Sequence, residues 1–165
     1  MLLPISTDSI KKAPMIHGSV AYLVSVFVNL IQKKGEKLLV CYDDGYVYDD
    51  KLLLISIANG CYCGGGIKGL PLALTDDGLM DVSLVKNVSR HEFVALFPKY
   101  AKGTHLESPL IRRRDILRYT KEDHLVIKAG AGSFRLCIDG DISRQRAVEF
   151  HIAPKSFRFI VPPGE

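Results

Sequence analysis

Apolar residues recur at helical spacing in two stretches of the chain; elsewhere they come in short runs or loose alternation. Val20, Leu23, Val24, Phe27, Leu30 and Ile31 share one face of a helix expected over about residues 18–34. Lys33 and Lys34 fall in its last turn, where cations suit the dipole, and Gly35 follows as a stop. Ser89-Arg90-His91-Glu92 spells a capping box, in which Ser89 accepts from the backbone three residues on and Glu92 reaches back. Phe93, Leu96, Phe97 and Tyr100 then form an apolar face that Gly103 closes, with Pro98 expected to kink the helix late.

The remaining pattern is strand-like. Lys37–Tyr42 and Tyr46–Tyr48 flank Asp43-Asp44-Gly45, whose Asp-Gly step signals a hairpin. Leu52–Ala58 is a near-continuous apolar run, the mark of a strand buried on both faces, and Met80–Lys86 alternates loosely. Asp115–Thr120, His124–Ala129, Phe134–Ile138, Ala147–Ile152 and Phe157–Val161 follow, with turns at Glu122-Asp123, Gly130-Ala131-Gly132 and Asp139-Gly140. Short strands at roughly ten-residue spacing predict a mainly β (α+β) domain, antiparallel and β-sandwich-like, with about two helices. Residues 1–16 carry little periodicity and read as a lead-in; residues 17–165 read as one domain.

Composition narrows the class. A chain of 165 residues, 47% hydrophobic and 24% charged, can bury a real core and is not disordered as a whole. The net charge of +4 is mild, and Lys and Arg are scattered rather than gathered in a stripe, which argues against nucleic acid. Cys41, Cys61, Cys63 and Cys137 do not space as a secreted disulfide framework, and Cys61-Tyr62-Cys63 lacks the second pair of a zinc motif. The five histidines show no metal-ligand spacing along the sequence. Met-Leu-Leu-Pro lacks the basic start of a signal peptide, and Val20–Ile31 is too short to span a bilayer, so a cytoplasmic location is expected. Neither a G-x-S-x-G elbow nor a Walker A loop is present.

Three stretches could carry chemistry. Gly64-Gly65-Gly66-Ile67-Lys68-Gly69 matches G-x-G-x-x-G, but Leu70-Pro71 follows where a dinucleotide site needs a helix. The glycines are better read as allowing positive φ or close approach of another segment, near a functional cleft. Thr75-Asp76-Asp77-Gly78-Leu79-Met80-Asp81 is either a turn before a strand or a hard-cation site of one carboxylate and turn carbonyls; it lacks the spacing of an EF-hand. Asp139-Gly140-Asp141 is either a tight turn or a pair of carboxylates. Alternation in an extended segment would bring that pair to one side, and such a pair suits proton abstraction from a hydroxyl. Arg112-Arg113-Arg114 reads as a solvated face.

Taken in order, Ala58-Asn59-Gly60, Gly64-Gly65-Gly66, Pro71-Leu72-Ala73, Asp77-Gly78-Leu79-Met80-Asp81-Val82, Lys102-Gly103-Thr104-His105 and Ile138-Asp139-Gly140-Asp141 resemble the C-terminal part of the diacylglycerol kinase catalytic family, which includes bacterial lipid kinases and the sphingosine and ceramide kinases. The resemblance runs from about His17 to Pro162. It implies a β-rich C-terminal domain that closes a cleft against an N-terminal ATP-binding domain. That domain's Gly-Gly-Asp-Gly-Thr motif is missing from this sequence, so the chain alone is expected to be inactive, and Met1 is either a natural start or a fragment boundary.

By the same resemblance, Asp139 and Asp141 match the family's Asp-Gly-Glu motif. Asp139 is then the base that deprotonates a lipid hydroxyl such as that of diacylglycerol, and Asp141, one methylene shorter than the family's Glu, is its partner. The Asp77 turn matches a structural Mg²⁺ site, with Asp77 giving a side-chain oxygen and Leu74 and Leu79 giving carbonyls. The resemblance further implies ATP as phosphoryl donor, a role in phospholipid biosynthesis, transient contact with a membrane surface and no nucleic-acid partner, and it is compatible with a homo-oligomer. A non-catalytic lipid- or protein-binding domain and an NAD kinase-like domain are the alternatives.

Overall fold

The computed structural model describes residues 35–63 and 66–156. The helix expected over 18–34, the strand expected at Phe157–Val161, and Gly64 and Gly65 lie outside the described residues. Strands β1 (Glu36–Cys41), β2 (Val47–Ala58) and β3 (Met80–Lys86) come first. Helix α1 (Arg90–Lys102), a 3-10 turn at His105–Glu107 and the short helix α2 (Pro109–Arg114) follow. Strands β4 (Leu117–Glu122), β5 (His124–Ala129), β6 (Phe134–Ile138), β7 (Asp141–Gln145) and β8 (Ala147–His151) complete the described chain.

Six strands form an antiparallel sheet in the order β4-β3-β2-β1-β5-β8, and β6 and β7 form a separate hairpin. Leu38 and Val40 of β1, Val82 and Leu84 of β3, and Leu125 and Ile127 of β5 form one core with Phe134 of β6, so the hairpin lies against a face of the sheet. Val85, which alternates away from Leu84, packs with Leu96 of α1, Ile111 of α2 and Ile116 on the other side. The result is the antiparallel, sandwich-like layering expected from the strand spacing.

Local differences have local causes. The segments expected at Tyr46–Tyr48 and Leu52–Ala58 are one strand, because polar Asp49, Asp50 and Lys51 stay in register with Leu39, Leu38 and Lys37 of β1. A Lys37–Asp49 ion pair of 3.2 Å crosses that ladder. Strand β4 begins at Leu117 rather than Asp115, since Asp115 caps α2 at φ +47° and Ile116 N–H bonds to the Ile111 carbonyl. Strand β7 carries almost no apolar signal and exists because it pairs with β6 across a two-residue turn.

The capping box at Ser89 and Glu92 is formed, Gly103 closes α1 in the left-handed conformation, and α1 continues through Pro98 without interruption. The three arginines occupy the last turn of α2, exposed, with Arg114 2.9 Å from Glu92.

Candidate active site

Asp139 and Gly140 form the loop between β6 and β7, with Ile138 paired to Asp141. Both loop residues have positive φ, +48° for Asp139 and +102° for Gly140, which is the two-residue hairpin turn that Asp-Gly favours. The segment is therefore not extended through Gly140, and the two carboxylates do not owe their placement to strand alternation: Asp139 is in the turn and Asp141 opens β7. Both residues are exposed. Neither carboxylate has a hydrogen-bond or ion-pair partner among the described residues.

The turn stands at the rim of a cleft of about 760 Å³ between the hairpin and the sheet. Its walls are mainly apolar: Leu38 and Leu52, Ile127 and Phe150, Phe134 and Leu136. Asp139 and Gly140 line it, Asp141 does not, and Tyr62 and Cys63 bring the glycine-rich loop to its edge. Ile138 and Ile142 are exposed on either side of the turn.

The second acidic group is built differently. The Asp77 carboxylate accepts from its own turn, through Leu79 N–H at 3.1 Å, and meets Lys121 Nζ at 2.5 Å. Lys121 also lies 3.3 Å from Asp81, which is fully buried on β3, and the Tyr119 hydroxyl donates to Asp81 at 2.6 Å. The Tyr119 oxygen in turn accepts from Leu72 N–H at 3.3 Å. Lys121 holds Asp77 below the ordinary carboxylate range, and Asp77 raises Lys121. Burial first, and then its bond to Asp81, raise the Tyr119 phenol well above its usual value. The Leu74 side chain is exposed and Leu79 is half-buried, so the turn reaches solvent.

The family model described as the YegS C-terminal NAD kinase beta sandwich-like domain matches residues 5–161. The chain belongs to this family. A protein of Pseudomonas fluorescens named "Probable lipid kinase YegS-like" is 29% identical over 161 residues, 95% of this chain and 48% of its own length. A protein of the same name from Shewanella frigidimarina is 26% identical over 147 residues, 89% of this chain and 45% of its own. A solved diacylglycerol kinase of Bacillus anthracis superposes with a TM-score of 0.61 at 21% identity, covering 84% of this chain and 47% of that one, which establishes the fold. The chain spans about half the length of these relatives.

Within the YegS-type domain, the glycine-rich loop is a packing device. Gly66 takes φ +84°. A Cβ at Gly69 would stand 2.7 Å from the Tyr100 hydroxyl oxygen, which is 3.0 Å from Ser56 Oγ on β2. Lys68 N–H bonds to the Ala101 carbonyl, so the loop is tied to α1. A Cβ at Gly103 would stand 2.7 Å from the Lys68 side chain, and His105 packs its ring 4.7 Å from that of Tyr100. The close approach expected of the glycines is thus found at Gly69, against Tyr100 of α1.

His105 is fully buried, and burial pushes its pKa down to about 4. The Lys102-Gly103-Thr104-His105 string therefore supports the loop from behind. Ser56, Tyr100, Tyr119 and Lys121 were not legible as site residues, since each is an ordinary strand or helix residue whose role depends on a partner 38 to 44 positions away.

Proposed function

We propose that this domain works as the C-terminal part of an ATP-dependent lipid kinase, with Asp139 as the base for a lipid hydroxyl. The observation that carries the reading is the position of Asp139: an exposed carboxylate without a partner among the described residues, at the rim of a mainly apolar cleft that Glu36 and Arg135 also line. A diacylglycerol-like molecule suits that layout, with acyl chains against Leu136, Ile127 and Phe150 and its hydroxyl at the turn. Asp139 takes the hydroxyl proton as the oxygen bonds to the γ-phosphorus of ATP and the bond to the departing ADP breaks. ATP binding falls mainly to an N-terminal domain. The exposed Ile138 and Ile142 give the tip an apolar margin suited to a substrate drawn from a membrane surface. No helix among the described residues is long and apolar enough to cross a membrane.

Mg²⁺ fits the Asp77 turn after one exchange: Lys121 now occupies the carboxylate, and Asp81 can retain it. Asp77 with the Leu74 and Leu79 carbonyls would hold the ion, which would brace the turn rather than join the reaction. Because Asp141 does not line the cleft, a lipid-binding domain without catalysis is the second reading.

The test joins the chain to an ATP-binding lipid kinase N-terminal domain and follows phosphate transfer to diacylglycerol, sphingosine and NAD. Transfer to diacylglycerol is expected, falling by about 10²- to 10⁴-fold in Asp139→Asn with lipid binding retained. Turnover within about tenfold of normal in that variant removes Asp139 as the base. Lipid binding with no turnover in the joined protein favours the second reading.

A further inference from the structure

At the sheet edge formed by β8, His124 and His151 face each other in register across the β5–β8 ladder. Their rings stack with centroids 4.2 Å apart. Glu149, two residues before His151 and so on the same face of β8, places Oε1 3.0 Å from His124 Nε2 and 2.9 Å from His151 Nε2. One ligand atom from each of the three lies within 4.8 Å of the others. The other ring nitrogen of His124, Nδ1, meets the Asp43 carboxylate from the β1–β2 turn.

We propose that His124, Glu149 and His151 form a binding site for a first-row divalent metal ion, Zn²⁺ above all, with Asp43 as the residue that orients His124. Two imidazoles and one carboxylate are donors that zinc takes readily and that Mg²⁺, which prefers oxygen alone, does not. Metal–ligand bonds of about 2.0–2.1 Å in a tetrahedral site put neighbouring ligand atoms roughly 3.3 Å apart. The two Glu149–imidazole distances are already near that value. A carboxylate on the far nitrogen of a ligating histidine fixes its tautomer and ring orientation, and Asp43 stands there. His151, with its side chain 63% exposed, has room to turn its nitrogen from stacking toward a shared ion. Three protein ligands leave a further position to solvent.

The site is hidden in the sequence because its ligands come from two strands that only the fold brings side by side. Phe150, between Glu149 and His151, points to the opposite face and lines the apolar cleft. An ion here pins the edge strand to β5 and, through Asp43, to the β1–β2 turn, and so stiffens that wall of the cleft.

The experiment titrates the metal-stripped 165-residue chain with ZnCl₂ by calorimetry, with MgCl₂ as control, and records a Co²⁺ absorption spectrum. One equivalent of Zn²⁺ should bind, raise the melting temperature, and be matched by no Mg²⁺ heat in the His124→Gln-sensitive step. His124→Gln and His151→Gln should each weaken binding by more than about 100-fold, and Asp43→Asn by about 10- to 100-fold. Co²⁺ should show ligand-field bands without sulfur-to-metal charge transfer, which separates this site from the four free cysteines. Asp43 and His151 are exposed and His124 is half-buried, so circular dichroism of each variant is recorded first to check that it folds. Absence of Zn²⁺ binding, binding unchanged in the His124→Gln/His151→Gln double variant, or a thiolate spectrum overturns the assignment.

Discussion

Of the chain's three Asp-Gly turns, the two that border its acidic candidates have opposite surroundings. Asp77-Gly78 precedes β3, with Gly78 at φ +75°, and its carboxylate is held by Lys121, which also meets the buried Asp81, itself the acceptor of the Tyr119 hydroxyl. Asp139-Gly140 ends β6 with a carboxylate that has no such partners among the described residues and borders an apolar cleft. One dipeptide thus belongs to a settled polar corner and the other to an open rim. What separates them is the second layer: a Lys and a Tyr from β4 in one case, solvent and apolar walls in the other. A substituted aspartate at the corner should register as lost stability, and at the rim as lost turnover.

The sharpest way to break that contrast is Asp81→Ala. Removal of this fully buried carboxylate leaves the Tyr119 hydroxyl and one side of Lys121 without their partner. Loss of about 3 kcal/mol is expected in chemical or thermal unfolding, moderated by the access of Lys121 to water. Asp139→Asn should change stability by less than about 0.5 kcal/mol, since the site is exposed and Asn tolerates the left-handed backbone found there. Similar losses from both would erase the distinction between corner and rim.

The settled interior also predicts a pH dependence. His105 is buried neutral, with a folded pKa of about 4 against about 6.5 unfolded. Above pH 6.5 its stability contribution is complete. As pH falls from about 6.5 toward 4, the unfolded chain binds a proton that the native ring excludes, and stability drops by up to about 3 kcal/mol. His124 acts in the opposite direction, because Asp43 and Glu149 raise its pKa. The measurement is therefore the difference between the parent chain and His105→Phe over that range. From pH 6.5 to pH 4 the parent should lose up to about 3 kcal/mol relative to His105→Phe, and parallel curves would show that the folded and unfolded chains take up the His105 proton alike.

Strand spacing, the Asp43-Asp44-Gly45 hairpin and the Ser89 cap were legible because each depends on a few adjacent residues. The short strand β7 was not, since Asp-Ile-Ser-Arg-Gln has no apolar face and its pairing is supplied by β6. The same division runs through the site. Asp139, Gly140 and Asp77 announce themselves as turn residues. Tyr119 and Lys121 become part of the Asp77 corner only when β4 pairs with β3, with Asp81 opposite Lys121 and Ser83 opposite Tyr119. The glycine-rich stretch signalled backbone freedom or crowding, but not that the crowding partner is the Tyr100 hydroxyl.

That partner gives the next prediction. Gly69→Ala places a methyl group about where the Tyr100 oxygen now limits approach, at 2.7 Å, and should cost about 2 kcal/mol. In a Tyr100→Phe background the hydroxyl is gone and the same substitution should cost less. A double-mutant cycle in thermal unfolding reads the coupling directly. Costs that simply add would mean that the loop is not held by this contact, and the link from α1 to the Tyr62 edge of the cleft would fail.

The smallest effect concerns the rim itself. Asp141 stands where the diacylglycerol kinase resemblance has Glu, and it opens β7 without lining the cleft. If its carboxylate assists Asp139, the shorter side chain leaves it at the limit of its reach, and Asp141→Glu should raise turnover in the joined enzyme by roughly tenfold or less. The gain should appear in kcat with KM little changed, because the acyl chains contact walls that the substitution does not touch. Asp141→Asn should lower kcat by a similar factor. If both variants behave like the parent, Asp141 is only the first residue of a strand, and the chemistry of the turn rests on Asp139 alone.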